Sequence, residues 1–186
     1  WKEAMKTLTL LRHAKSVWDD PVPRDFDRPL NPKGRKAARR VGREMRAQNM
    51  AFDAVRASPA ARVVETLADV GQGYGEPIRP DYDERLYLAS AATLLEIVRE
   101  TGEQVERLLL VGHNPGLEGL ALLLASDEEG AGLRGELAIK YPTATLAEIR
   151  LDVESWRDVA AGSGRLQRFI RPRDLDPALG PDADAS

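Results

Sequence analysis

The chain contains only two histidines, His13 and His113, and each follows a short apolar run of the kind that forms a buried strand. In an open α/β sheet, ligands bind at the carboxyl ends of the parallel strands. Two imidazoles at this edge predict one site built from two strands. A neutral imidazole carries a free lone pair, so this site could perform nucleophilic or acid–base catalysis. The alternative is that each histidine has only a structural role.

Cationic and polar residues accompany the first histidine. Arg12 precedes His13, whereas Lys15 and Ser16 follow it closely. Arg62 comes soon after a serine–proline pair that signals the start of a helix. Two guanidinium groups can bind the oxygens of a phosphoryl group and stabilise the charge that spreads over them during transfer. Nearby cations also favour the neutral form of His13, which makes it a candidate nucleophile for phosphoryl transfer.

A helix start is predicted beside the second histidine. Asn114 can cap this helix and Pro115 suits its first position. The free N–H groups at such a terminus favour anions. The sequence therefore places a second anion-binding element next to His113.

The composition limits the classes of function. The absence of cysteine excludes disulfide and thiolate chemistry. Two histidines argue against a histidine-rich metal site, so we expect no cofactor. A carboxylate site for Mg²⁺ is still compatible with the composition. The net charge of −3 gives no overall attraction to nucleic acid. No apolar run approaches the roughly 20 residues of a membrane span. We therefore expect a cytoplasmic protein with neither nucleic-acid nor membrane partners.

Strand-like and helix-like segments alternate along the chain. This alternation predicts an α/β fold, a three-layer sandwich with helices on both faces of a mostly parallel sheet and an antiparallel edge. After the first strand, strands are predicted at residues 53–57, near Ile78, and at 105–111, 143–151 and 166–170. Helices are predicted from Asn31–Pro32, from Ser58–Pro59, and at 91–100 and 117–125.

The 186 residues suit a single domain, predicted here to span residues 5–171. Met5 is a plausible natural start, so residues 1–4 are expected to be foreign to the natural chain. From residue 172 to 186, proline, aspartate and alanine dominate without an apolar period, which predicts a disordered tail.

Five segments, taken in order, resemble the motifs of the histidine phosphatase superfamily, which has the phosphoglycerate-mutase-like fold. The segment 11–16 is similar to its Arg-His-Gly/Ala signature, and 57–66 is similar to its Ser-Pro-x-x-Arg-x-x-x-Thr segment. The remaining similarities are to the entry of the first helix, the acidic loop and the second histidine motif, at residues 28–34, 83–87 and 111–116.

This resemblance implies roles for individual residues. His13 would be the phosphorylated nucleophile, and Arg12, Arg62 and His113 would bind the phosphoryl group. Glu84 matches the usual proton donor of the family. The alternative for this acidic loop is a surface ion pair with the arginine that follows Glu84. We also expect Lys15 and Ser16 to contact phosphate.

The compact length and the alanine after His13 most resemble the short phosphohistidine phosphatases of the SixA type. This likeness implies a metal-independent phosphatase whose substrate is a phosphohistidine-carrying signalling protein. A small-molecule phosphomonoesterase of the same superfamily is the first alternative, and a noncatalytic phosphate-binding protein is the second.

One predicted helix is strongly basic, which is explained either by a solvated face or by a docking stripe for an acidic partner. Its cations are Lys33, Arg35, Lys36, Arg39, Arg40, Arg43 and Arg46.

Overall fold

A six-stranded sheet lies at the centre of the computed structural model, which describes residues 5–18, 24–126 and 131–181. The strands are β1 (Lys6–Arg12), β2 (Ala54–Ala57), β3 (Asp81–Tyr82), β4 (Arg107–Gly112), β5 (Leu146–Leu151) and β6 (Gly164–Ile170). Their order across the sheet is β3-β2-β4-β1-β5-β6. The first four strands in this order are parallel, while β5 runs antiparallel to β1 and β6. The predicted mostly parallel sheet with an antiparallel edge is confirmed.

Helices cover both faces of the sheet. They are α1 (Pro32–Ala47), α2 (Ala61–Tyr74), α3 (Ala91–Arg99), α4 (Gly116–Leu124), α5 (Ala131–Ile139) and α6 (Pro172–Leu175). Successive side chains of β4 alternate between two apolar cores, as the period of a strand requires. Leu108 and Leu110 pack with residues of α3 and α4, whereas Leu109 and Val111 pack with residues of α1 and α2. This arrangement is the predicted three-layer sandwich.

The start of α1 is fixed against the loop that follows β1. Asn31 caps the helix, because its side chain accepts a hydrogen bond from Gly34 N at 2.7 Å. The backbone N–H of Asn31 donates to the carbonyl of Lys15 at 3.0 Å. A β-carbon on Gly34 would lie 2.1 Å from that same carbonyl oxygen, so the close approach requires glycine. The first helix thereby holds the loop in which His13 lies.

Three secondary-structure predictions need correction. The third strand is Asp81–Tyr82 rather than a strand at Ile78. The second helix begins at Ala61 with Ala60 at its cap, two residues later than the serine–proline signal indicates. Helix α5 was not predicted, because two glycines within nine residues lower its helix propensity and blur its apolar period.

The predicted disorder from residue 172 is wrong for residues 172–181. Helix α6 and a 3₁₀ turn at Pro177–Leu179 form there. Leu175 and Leu179 pack against the core beneath α1, and Lys33 Nζ donates to the carbonyl of Gly180 at 2.5 Å. Two apolar side chains are enough to anchor the segment but too few to give a sequence period. Residues 182–186 lie outside the described residues, as do residues 1–4.

Within the described ranges, no helix combines the length and apolar character needed to cross a bilayer.

Candidate active site

The two histidines meet at the carboxyl edge of the sheet. His13 follows β1 and His113 follows β4, and these strands are parallel neighbours in which Arg12 pairs with Gly112. His13 N donates to the carbonyl of Gly112 at 3.1 Å. The two imidazole centroids lie 5.3 Å apart, and both side chains are buried. The register of one strand pair thus creates the imidazole pair.

The imidazole of His13 is held in one tautomer. Its Nδ1 lies 2.7 Å from the carbonyl oxygen of Ala14, which can only accept, so Nδ1 carries the proton. Its Nε2 is left with the lone pair and lies 3.4 Å from Nε of Arg62. Burial lowers the pKa of His13 to about 3; the Ala14 contact opposes this shift, while the charges of His113 and Arg62 add to it. His13 is therefore neutral at neutral pH, with a nucleophilic nitrogen beside a guanidinium.

The imidazole of His113 has a different environment. Its Nε2 lies 2.8 Å from the hydroxyl of Ser58, which is completely buried. Its Nδ1 is also buried and has no hydrogen-bond partner among the described residues. Burial, and then the charge of Arg62, lower the pKa of His113 to about 3. The ring of Tyr87 packs edge-on against it with centroids 5.4 Å apart.

Two arginines border the histidine pair: Arg62 is buried and Arg12 is half-buried. Arg62 lies in the first turn of α2 and is 2% exposed. Arg12 ends β1, and its Nη1 donates to the carbonyl of Tyr141 at 2.9 Å. Its Nε is buried without a hydrogen-bond partner in the described part of the chain, and desolvation lowers its pKa. Arg12 therefore keeps a donor that no described residue engages, whereas the nitrogens of Arg62 contact His13 and Asp25.

A carboxylate that no sequence pattern predicts lies against these cations. Asp25 Oδ2 accepts hydrogen bonds from Arg62 at 3.0 Å and from the hydroxyl of Tyr87 at 2.6 Å, while Oδ1 accepts from Arg28 at 2.7 Å. Burial raises the pKa of Asp25, but these hydrogen bonds and the charge of Arg62 outweigh it and hold the pKa well below its ordinary value. A carboxylate bound in this way marks the position as an anion site. No sequence pattern singles Asp25 out, because it lies in a polar segment without an apolar period, and its 3₁₀ turn, Asp25–Asp27, is only three residues long.

The loop after β1 adds further polar groups. The hydroxyl of Ser16 is buried and accepts a hydrogen bond from Arg28. The guanidinium group of Arg28 also stacks over Trp18, with Cζ 3.8 Å from the centroid of the ring. Lys15 is half-buried and, with Arg12, lines a cavity beside the site. Ser16 and Lys15 are thus placed at the predicted edge, although Ser16 is already engaged by Arg28.

Glu84 lies in a 3₁₀ turn, Glu84–Leu86, that directly follows β3 at the same edge of the sheet. Its carboxylate is exposed and has no hydrogen bond or ion pair with any other described residue. The arginine of the turn, Arg85, pairs instead with Asp83 at 2.8 Å. Hydrogen bonds from Arg85 are the main cause that lowers the pKa of Asp83 to about 2. The surface ion pair considered from the sequence therefore belongs to Asp83, and Glu84 stays available.

Buried hydrogen bonds hold the site residues in register. The hydroxyl of Thr66 accepts from Ala14 N at 2.9 Å and donates to the carbonyl of Arg62 at 2.6 Å, so it links the first turns of α2 to the loop after β1. Asn114 donates to the carbonyl of Tyr141 at 3.0 Å and accepts from the backbone of α4 at 3.2 Å. The predicted helix start is therefore wrong by one residue, because α4 begins at Gly116 with Pro115 at its N-cap, and Asn114 contacts the first turn from the position before the cap.

Comparison with known proteins identifies relatives of this chain. Residues 8–87 match the family model of the histidine phosphatase superfamily (branch 1). An uncharacterised protein of Mycobacterium tuberculosis is 40% identical over 164 residues, which covers 88% of this chain and 100% of that protein.

Two solved structures share the fold and much of the length. One, assigned as the phosphohistidine phosphatase SixA of Nakamurella multipartitia, has a TM-score of 0.76 and 30% identity and covers 90% of this chain and 96% of its own. A second, with the same assignment in Agrobacterium tumefaciens, has a TM-score of 0.72 and 29% identity, covering 90% and 98%. The predicted resemblance is confirmed.

Proposed function

Because the chain belongs to the histidine phosphatase superfamily, we propose that it removes phosphate from phosphohistidine on a protein through a phosphorylated His13. Family membership supports phosphatase activity, and the likeness to SixA-assigned structures favours phosphohistidine as the substrate. The roles of the individual residues are part of the proposal and rest on the geometry of the site.

One observation carries the proposal. His13 donates from Nδ1 to the carbonyl of Ala14 at 2.7 Å, which leaves the Nε2 lone pair next to Arg62 at 3.4 Å. A nucleophile in phosphoryl transfer needs a free lone pair and nearby positive charge to stabilise the oxygens in the transition state. His13 has both, and its low pKa keeps the lone pair free at neutral pH.

In the first step, Nε2 of His13 attacks phosphorus while the bond from phosphorus to the substrate's imidazole nitrogen breaks. The leaving imidazole keeps the bonding electrons and takes a proton. Arg12, Arg62 and His113 bind the phosphoryl oxygens, with His113 held by Ser58. In the second step, a water oxygen bonds to phosphorus while the bond from phosphorus to Nε2 of His13 breaks. Nε2 regains its lone pair, the water proton passes to solvent, and inorganic phosphate is released.

Glu84 is the proposed proton donor, because its carboxylate lies at the same edge of the sheet without a partner among the described residues. An imidazole leaving group accepts a proton readily, whereas an alkoxide leaving group requires an acid in the transition state. Replacement of Glu84 by glutamine is therefore expected to slow phosphoester hydrolysis more than phosphohistidine hydrolysis.

The test compares two substrates and two histidine variants. A phosphohistidine-bearing peptide and an aryl phosphate are assayed without added metal, using the intact chain, His13→Ala and His113→Ala. Because the chain has no other histidine, phosphohistidine trapped on the enzyme during turnover can form on only two residues. The proposal requires that His113→Ala still forms the phosphoenzyme slowly and that His13→Ala forms none.

A preference for the aryl phosphate, lost in His13→Ala, would keep the mechanism and replace the substrate with a small phosphoester. Phosphoenzyme that persists in His13→Ala would overturn the assignment of the nucleophile. No turnover of either substrate by the intact chain would favour a noncatalytic phosphate-binding protein.

A further inference from the structure

A cavity of about 340 Å³ adjoins the candidate active site, and every charged residue on its described wall is a cation. Arg12 and Lys15 lie on the wall that the cavity shares with the site. The other cations are Lys33, Lys140, Arg171 and Arg173. The whole chain carries a net charge of −3, so this concentration of positive charge is local.

The fold explains why these cations meet. Lys15 follows β1, and Lys140 lies in the segment that leads into β5. Because β5 is antiparallel to β1, its beginning lies at the edge where β1 ends. Strand β6 ends at this same edge, which brings Arg171 and Arg173 alongside. The segment after residue 171 therefore lines the same cavity as Arg12 and Lys15 of the active site.

Two of the cavity's cations have no ion-pair partner within the described part of the chain. These are Lys140 and Arg173, both of which are exposed. By contrast, Arg171 is paired with Asp174 at 2.9 Å. Unpaired like charges in one cavity repel one another, and a ligand with negative charges relieves that repulsion.

The positive surface continues beyond the cavity along α1. Lys33 lines both the cavity and a neighbouring open groove, whose other cations are Lys36, Arg39, Arg40 and Arg43. Arg43 lies ten positions after Lys33, which corresponds to about 15 Å along a helix. Asp176 is the one acidic residue among the described residues that line this groove. A small phosphoester bound at His13 could not reach along this length, whereas a protein surface could.

We propose that the cavity and the groove of α1, together the basic groove, bind an acidic segment of the phosphorylated protein from which this enzyme removes phosphate. This inference rests on the proposed function and specifies the chemistry of the partner: carboxylates placed beside its phosphohistidine. Apart from Arg12 and Lys15, which the cavity shares with the active site, the cations of the basic groove then raise the enzyme's affinity for protein substrates without touching the phosphoryl group.

The test uses two synthetic phosphohistidine peptides and one small substrate. The first peptide is rich in glutamate, and the second has every glutamate replaced by glutamine. Phosphoramidate, which has a phosphorus–nitrogen bond but no peptide, reports the chemistry alone. The kcat/KM of each is measured for the intact chain and for the double variant Lys140→Ser/Arg173→Ser.

A matched control is Arg79→Ser, since Arg79 is exposed, forms no ion pair with a described residue and precedes β3 at the opposite edge of the sheet. Exposed charge pairs typically contribute a factor of about 1.5 to 5 each. The double variant should therefore lose roughly 2- to 25-fold in kcat/KM for the glutamate peptide. It should change little with the glutamine peptide or phosphoramidate, and the preference for glutamate should weaken as salt is added.

Equal activity of the intact chain on both peptides would overturn the basic groove as a docking site while leaving the proposed function intact. The same conclusion would follow if Arg79→Ser lost as much activity as the double variant. Hydrolysis of phosphoramidate but of neither peptide would instead overturn the protein substrate, and the docking site with it.

Discussion

The two buried histidines make the stability of the fold depend on pH in a calculable way. Both have pKa values lowered from 6.5 to about 3 in the folded chain, chiefly because burial penalises the charged imidazole. The unfolded chain binds protons at the ordinary pKa. Above the unfolded pKa both states are neutral and stability is complete. As the pH falls from 6.5 toward 3, only the unfolded state gains protons, so stability is lost in that window.

The magnitude follows from one pKa unit being about 1.4 kcal/mol. At about pH 5, each histidine costs about 2 kcal/mol relative to about pH 8, and the pair costs about 4 kcal/mol. This is a large part of the roughly 5–15 kcal/mol that stabilises an ordinary domain. Asp25 and Asp83 have pKa values lowered from 3.8, so the stability that they contribute is lost as the pH falls below about 4 and stays nearly constant between about pH 8 and about pH 5.

Urea denaturation between about pH 8 and about pH 5 measures this effect directly. The difference in unfolding free energy between the two pH values should fall by about half in His13→Asn or His113→Asn. It should nearly vanish in the double variant, because the chain has no third histidine. Each variant serves as its own reference, so a general loss of stability does not disturb the comparison. A stability that is constant, or that rises as the pH falls, would refute the neutral state assigned to His13.

Three further perturbations follow from contacts in the site. Asp25→Asn removes a carboxylate from the anion site while keeping an acceptor, so vanadate should inhibit the variant at about fivefold lower concentration; weaker inhibition would contradict this. Gly34→Ala forces a β-carbon against the loop after β1 and should lower the free energy of unfolding, measured by thermal denaturation, by about 1–3 kcal/mol. The control is Gly135→Ala, whose β-carbon would meet nothing within 4 Å and which should not destabilise the fold. Ser58→Ala removes the hydroxyl that contacts His113 Nε2 and should reduce kcat on a phosphohistidine peptide by up to about tenfold. An unchanged kcat would show that this hydrogen bond does not contribute to catalysis.

Much of the fold could be predicted from local patterns. The apolar runs before His13 and His113 indicate buried strands, and the ends of adjacent parallel strands meet whatever the details of packing. Arg62 follows a helix-start signal, so its place near the sheet edge is also local information. These features depend on the period of apolar residues and on turn chemistry, both of which are read within about ten residues.

Other features depended on contacts between distant parts of the chain. Asp25 begins a three-residue 3₁₀ turn in a polar segment, and only the folded chain brings it within 3.0 Å of Arg62. Residues 172–181 have no apolar period, yet Leu175 and Leu179 pack against the apolar core to which α1 contributes. Helix α5 was likewise missed, since its two glycines weaken the local signal.

The sequence by itself determined which residues could do the chemistry and which strand ends would carry them, because those are properties of residue type and local period. The tertiary structure alone decided their ionisation, because the pKa of each histidine depends on how much water the surrounding chain excludes. It also decided the environment of the site. The cations of the basic groove come from segments far apart in sequence, and only long-range packing brings these side chains together.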